Sequence, residues 1–150
     1  MPKTTLTVGV KIDGLREALT AFRELPKEAN DALRDEALKL SQELAVDVQS
    51  AARSEGHQAA LLAQTVKAKR DRVPVITAGG TTKLGHNRKP AYKLLFGSEF
   101  GSSRLKQYKP HRGRQGYWFF PVVEKQADRI AAGWQDAAQR VIDDFSGGPS

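Results

Sequence analysis

Cysteine is absent from this 150-residue sequence, and methionine occurs once. Without a thiol the chain has no disulfide, no thiolate metal site and no cysteine nucleophile, and its composition is neutral as to redox compartment. Long apolar runs are missing too, since none approaches the roughly 20 residues needed to cross a bilayer. The first residues, Met-Pro-Lys-Thr-Thr, lack the apolar core of a signal peptide. We therefore expect a soluble protein made in the cytoplasm, with no membrane contact.

Catalytic motifs are equally scarce. The three histidines, His57, His86 and His111, lie in predicted loops, and none belongs to a spaced metal-binding pair. The glycine-rich fragments match neither a phosphate-binding loop nor a dinucleotide fingerprint. Most Asp and Glu residues lie opposite the apolar stripes of predicted helices, which favours solvated faces over an acid–base pair. The sequence predicts no enzyme, no cofactor and no bound metal.

Acidic residues are nearly missing from Gly79–Gly116, which we call the basic segment. It holds one acid, Glu99, against nine bases, whereas the other 112 residues hold fifteen bases and sixteen acids. The excess charge of the chain, formally +7, therefore belongs to this segment. The nine bases are candidate contacts for a polyanion or a partner protein: Lys83, Arg88, Lys89, Lys93, Arg104, Lys106, Lys109, Arg112 and Arg114.

Two interpretations of the basic segment remain open. The first is a solvated charge run that aids solubility, and the second is contact with phosphates or an acidic protein surface. No predicted recognition helix carries these bases. Any contact with nucleic acid should therefore be directed at the backbone, sensitive to salt and indifferent to sequence.

Apolar periodicity predicts the regular elements. Thr5–Ile12 alternates as a half-buried strand, and Asp13 is the expected N-cap of a short helix with Phe22 on its apolar face. A long helix is expected over Pro26–Arg53, then a weaker helical stretch through residues 59–66 and a hairpin within residues 67–77. The apolar stripe of the long helix comprises Leu33, Ala37, Leu40, Leu44, Val48 and Ala51.

The second half of the chain is predicted to hold two polar loops, residues 79–90 and 102–115, and a closing helix. Pro121 suits the first turn of that helix, and the run Tyr117–Phe120 before it is interpreted as a core strand or, alternatively, as a platform for stacking bases. The closing helix has an apolar stripe of Val123, Ala127, Ile130, Trp134, Ala138, Val141 and Phe145.

This order of elements predicts an α+β fold, in which a small antiparallel sheet packs against two long helices plus a short helix, with extended basic loops. We expect a single domain over residues 1–150, with flexible ends at residues 1–4 and 146–150. Glu99 is expected to pair structurally with a neighbouring Arg or Lys. The alternative, that Glu99 does chemistry with His86 or His111 in a hydrolase or nuclease, has no ligand cluster to support it.

Two stretches in a fixed order carry a resemblance to a known family. The first is Phe96–Arg104, with Glu99, Phe100, Gly101 and Ser102 at the positions of a Glu-Phe-Gly-[Thr/Ser] motif, and the second is Phe119–Glu124. With the early helices, the middle hairpin and the closing helix, this order resembles the head-tail joining and tail-completion proteins of long-tailed bacteriophages over roughly residues 13 to 145.

The resemblance implies an assembly role. Proteins of this family are virion components of the neck, and the implied assembly is a homo-oligomeric ring of six that completes the tail tube and joins it to the head connector around the DNA channel. Implied partners are the tail tube or terminator, the connector or stopper proteins, and packaged DNA. Gly97 and Gly101 would bend the backbone around a short strand end, with Phe100 anchored in the core. A small sequence-independent DNA-binding protein using residues 83–114 is the alternative.

Overall fold

The computed structural model describes residues 5–81, 83–85, 88–100 and 118–145, and gives the backbone only for residues 58, 92, 96, 97 and 100. The strands are β1 (Thr5–Gly9), β2 (Lys67–Lys69), β3 (Val75–Gly79), β4 (Lys83–Leu84) and β5 (Lys89–Pro90). The helices are α1 (Leu15–Arg23), α2 (Lys27–Glu55), α3 (His57–Leu62), α4 (Ala91–Phe100) and α5 (Phe119–Phe145), and a 3-10 turn, Ala63–Thr65, follows α3.

The main sheet is antiparallel with the strand order β1-β3-β2, and β4 and β5 form a separate two-stranded ribbon. Leu6 faces Ala78 and Val8 faces Ile76, so these apolar side chains share the face that packs on the helices. Thr7 and Lys67 both lie opposite Thr77 on the other face, which is polar. The α+β class predicted from the sequence is confirmed, including the small antiparallel sheet, the two long helices and the short helix.

The long helices α2 and α5 pack against each other and supply about half of the buried core residues in the described part of the chain. Their facing residues, such as Leu33, Leu44 and Ile130, are fully buried. A β-carbon placed at Gly133 of α5 would come within 3.0 Å of Leu40 of α2, so a glycine allows the two helices to approach closely here. Of the predicted stripe of α2, Leu40 and Ala51 are only partly buried.

The polar residue Ser41 lies in the buried stripe of α2. Its hydroxyl accepts a hydrogen bond of 2.8 Å from the backbone N–H of Val75 at the start of β3. The side chain therefore satisfies a buried donor and fixes the sheet on the helix.

Several local predictions are wrong. Asp13 does not cap α1, because Gly14 takes the N-cap position with φ of 76° and no side-chain cap bond. The first strand ends at Gly9 and not at Ile12, although Val10 and Ile12 remain buried. Gly97 lies within α4 and not at a strand end. The predicted loop over residues 79–90 contains the ribbon of β4 and β5.

The aromatic run before Pro121 is core, as predicted, but not as a strand. Phe119 and Phe120 begin α5, and Trp118 and Phe119 are buried. Tyr117 lies outside the described residues, as do the expected flexible ends, residues 1–4 and 146–150. The burial of these two rings favours the core interpretation over a base-stacking platform.

Trp134 ties α5 to the hairpin between β2 and β3. Its ring is 1% exposed, and its indole N–H donates a 2.6 Å hydrogen bond to the carbonyl of Arg72. We expect Trp134→Ala to lower the free energy of unfolding by about 3 to 5 kcal/mol, because it leaves a large cavity. Denaturant unfolding followed by circular dichroism measures this loss. The control is Asp136→Ala, an exposed position on the same helix, and an equal loss in both variants would contradict the prediction.

Candidate functional site

The first turn of α5 is held by a carboxylate from another helix. Glu99, in the last turn of α4, is completely buried. Its Oε1 accepts hydrogen bonds from the backbone N–H groups of Trp118 at 2.8 Å and Phe119 at 2.7 Å, and its Oε2 accepts one from Phe120 at 2.7 Å. We call this arrangement the Glu99 clamp. It joins two points of the chain that are 19 to 21 residues apart.

The chemistry of a helix end explains the clamp. The first N–H groups of an α-helix have no partner within the helix, and the helix dipole favours negative charge at that end. The residues before Phe119 are Gly116, Tyr117 and Trp118, none of which has a short capping side chain. A carboxylate can accept all three bonds at once, so Glu99 replaces the missing local cap.

Neighbouring side chains complete the clamp. The indole N–H of Trp118 donates to the hydroxyl of Ser98 at 3.1 Å, and that hydroxyl donates to the carbonyl of Leu95 at 3.3 Å. Phe119 makes edge-to-face contacts with Trp118 and with Phe120, each with ring centroids 5.6 Å apart. These contacts fix the position of α4 relative to the start of α5.

The predicted site residues are only partly brought together. Glu99 is in the clamp. The sequence did not predict its backbone partners, residues 118–120. Phe100 ends α4, with its side chain outside the description, while Gly101 and Ser102 lie outside the described residues. So do five of the nine bases, namely Arg104, Lys106, Lys109, Arg112 and Arg114.

The other four bases, Lys83, Arg88, Lys89 and Lys93, lie on the ribbon, in its turn and on α4. Lys83 and Lys89 lie on opposite faces of the ribbon, since Leu84 pairs with Lys89 and Lys83 with Pro90. Arg88 closes the turn between β4 and β5 by donating its N–H to Gly85 at 3.2 Å, with φ of 54°. Lys93 is exposed in the first turn of α4. The structure therefore does not place these four charges on a single face.

Charges on the long helices are neutralised locally. Arg129 of α5 binds Glu43 at 3.1 Å and Asp47 at 3.4 Å on α2, and Arg70 binds Asp35 at 2.8 Å. The pKa of Asp31 is lowered, chiefly by its hydrogen bond from Lys27. In the described part of the chain, by contrast, no carboxylate lies within ion-pair distance of Lys83, Arg88, Lys89 or Lys93.

Candidate catalytic groups do not assemble in the described ranges. There, no three His, Asp or Glu side chains lie close enough to hold a metal ion, and no helix is long and apolar enough to span a membrane. His57 is exposed at the start of α3, and His86 and His111 lie outside the description. Glu99 uses both oxygens as hydrogen-bond acceptors for backbone groups, which is the geometry of a structural carboxylate.

Two clefts flank these elements. An apolar cleft of about 280 Å³ beside the clamp is lined by Trp118, Pro121 and Val122 of one segment and by Ala51 and Ser54 of α2. A polar cleft of about 370 Å³ lies at one end of the sheet. Its lining includes Thr5, Gln64, Thr65, Lys67 and Thr77.

Comparison with protein-family models, with curated proteins and with solved structures gives no match for this chain. The geometry and the sequence pattern are therefore the grounds for assigning a function.

Removal of the carboxylate tests the clamp. We expect Glu99→Ala to lower the free energy of unfolding by more than about 3 kcal/mol, since each buried donor left unpaired costs about 1 to 3 kcal/mol. Glu99→Gln should lower the free energy of unfolding by less than Glu99→Ala, because the amide oxygen still accepts hydrogen bonds. Some loss remains, because the amide NH₂ group then faces a backbone donor. The exposed carboxylate of Glu124, on α5, provides the matched control Glu124→Gln.

Fluorescence reports the same event locally. The chain has two tryptophans, so a Trp134→Phe background leaves Trp118 as the sole indole. In that background we expect Glu99→Ala to shift the emission maximum of Trp118 to longer wavelength. The shift should be present at denaturant concentrations below the midpoint of global unfolding. An unshifted spectrum together with unchanged stability would contradict the structural role of the clamp.

Proposed function

We propose that this chain is a non-enzymatic structural protein of a bacteriophage neck, of the head-tail joining or tail-completion type. In this proposal it forms a ring of six subunits that completes the tail tube and joins it to the head connector around the DNA channel. The protein is then a virion component, present in the host cytoplasm before assembly. The observation that supports the proposal best is the Glu99 clamp, since it unites the two stretches that carry the family resemblance.

The clamp makes sense of the order of those stretches. Glu99 lies in the motif Glu-Phe-Gly-Ser, and its three donors lie at the start of the aromatic-Pro stretch. A resemblance that rests on two short motifs gains weight when their side chain and backbone groups are in contact. The clamp also brings together residues 99 and 118, which lie on either side of the stretch 101–117 in the sequence.

Charge partition supports a role in assembly. Residues 101–117 hold five bases and no acid, and Lys93 of α4 is an exposed base. The long helices neutralise their own charges, so the remaining positive potential comes from one region. In a phage neck, two negatively charged surfaces could bind this positively charged region: the DNA in the channel and the acidic faces of neighbouring rings.

The helices provide surfaces for contact between subunits. With 29 residues, α2 is about 43 Å long at about 1.5 Å per residue. Val46 on this helix is 58% exposed, an apolar side chain outside the core. In the proposed ring, side-to-side contacts use such long helix faces, while residues 101–117 extend to the next ring in the stack.

Electron microscopy tests the neck proposal. The purified chain should form closed rings, and antibodies against it should label virions at the junction of head and tail. A chain that never forms rings over a wide concentration range, and that is absent from purified virions, would contradict the proposal.

The second candidate function is sequence-independent DNA binding by residues 83–114. It is favoured by the four described bases, Lys83, Arg88, Lys89 and Lys93, which have no carboxylate partner within the described residues. In a gel shift this function predicts binding that weakens steeply with salt and does not distinguish sequences. Absence of binding at low salt would rule it out.

Charge reversal separates folding from binding. The double variant Arg112→Glu with Arg114→Glu should leave the free energy of unfolding within about 0.5 kcal/mol of the parent, as surface changes usually do. If both arginines contact phosphates, the slope of log affinity against log salt should fall by about 2.

The control for this variant reverses the exposed arginines of α1, Arg16→Glu with Arg23→Glu, and so changes net charge equally. Equal loss of DNA affinity in both variants would mean that net charge, and not the basic segment, drives binding. Unfolding of the Arg112 and Arg114 variant would place these residues in the core.

A further inference from the structure

Within the described residues, no strand pairs with the outer edge of β1. With the order β1-β3-β2, the three-stranded sheet has two edges, at β1 and at β2. β1 reads Thr-Leu-Thr-Val-Gly, without a charge or a proline. Natural sheet edges usually carry such features, because a bare edge is a template for pairing with another strand.

The hydrogen bonds around β3 show which groups of β1 point outward. The N–H of Gly79 donates to Thr65 on the β2 side at 3.1 Å, and is therefore not directed at Thr5, its partner on β1. Backbone groups alternate along an antiparallel strand, so Leu6 and Val8 bond to β3. The N–H and C=O groups of Thr5, Thr7 and Gly9 consequently face away from the sheet.

The opposite edge is protected. The side-chain amide of Gln49 donates to the carbonyl of Val66, just before β2, at 2.9 Å. β2 itself has three residues, two of which are exposed lysines, Lys67 and Lys69. Pairing two copies through this edge would bring these lysines close together, which like charges oppose.

We propose that β1 pairs with β1 of a second copy of this chain, antiparallel about a two-fold axis at Thr7. In this register Thr7 lies opposite Thr7 of the second copy, and Thr5 lies opposite Gly9 of the second copy. The outward groups of all three residues are then used in six backbone hydrogen bonds. The product is one six-stranded sheet in the order β2-β3-β1-β1-β3-β2.

The second copy fits this edge for two reasons. No charged side chain of either β1 faces another across the axis, since the strand has none. Leu6 and Val8 are half-buried in the single chain, on the face that packs on the core. In the pair Leu6 of one copy lies opposite Val8 of the other, so the apolar face becomes continuous across the axis.

A contact of this kind closes at two copies, because each chain uses the same patch. It is therefore distinct from the side-to-side contacts of the proposed ring, and neither inference depends on the other. Cross-linking through β1 can succeed or fail whether or not rings form.

The absence of cysteine allows a direct test on the full chain. In the proposed pair the two α-carbons of residue 7 are about 5.5 Å apart, within the range of about 4.4 to 6.8 Å that a disulfide spans. Thr7→Cys should therefore give a cross-linked dimer under mild oxidation, seen on a non-reducing denaturing gel. Thr5→Cys is the matched control, because residues 5 of the two copies are four residues apart along the strands, about 14 Å at about 3.4 Å per residue.

The proposal is supported if Thr7→Cys cross-links at least tenfold faster than Thr5→Cys. Equal rates, or no cross-link at Thr7 at protein concentrations up to the millimolar range, would overturn it. Thr7→Pro supplies a second measurement, since it removes an outward N–H and leaves the bonds to β3 in place.

Light scattering should report, for the parent and for Thr7→Val, twice the mass that it reports for Thr7→Pro, whether the unit that pairs through β1 is a single chain of 16.5 kDa or a ring. The cysteine variants keep their backbone N–H groups, so they remain informative if Thr7→Pro fails to fold. A parent that stays monomeric at millimolar concentration would contradict the pairing.

Discussion

The fold depends on one buried carboxylate that replaces the missing cap of a long helix. Glu99 accepts hydrogen bonds from three backbone N–H groups at the start of α5. These bonds stabilise the carboxylate in a position where it is completely buried. Because α5 packs on α2 over much of its length, whatever fixes its first turn also fixes the register of the two helices. The clamp thus pairs the N–H groups at the start of α5 and, through the packing of α5 on α2, also helps to fix the arrangement of the core.

Electrostatics divides the molecule into two parts. Arg129 and Arg70 neutralise carboxylates of α2, so the helical body carries little excess charge. The basic segment contains nine bases and a single acid, Glu99, which accepts hydrogen bonds from backbone groups at the start of α5. An otherwise balanced body with one cationic region is well suited to meeting a polyanion or an acidic neighbour without attracting them everywhere else.

Periodicity predicted the elements whose burial is regular along the chain. The helices α2 and α5 and the strand β1 follow from apolar spacing, since each buries one face. α4 was missed because Gly97 and Ser98 weaken its helical pattern, and packing against α3 and the clamp outweighs that weakness. Ser41 was missed because its partner at Val75 is 34 residues away. The signal for Glu99 was present, namely a single acid in the basic segment and no capping side chain before Phe119, but its partners are distant in sequence and no spacing rule links them.

The clamp joins residues 99 and 118 by a direct hydrogen bond. Lengthening a connection whose ends are already joined costs little, about 0.6 kcal/mol for each doubling of its length. A change in the number of residues between 99 and 118 should therefore cost the clamp little chain entropy. A peptide inserted between these two residues is thus a natural starting point for engineering the protein.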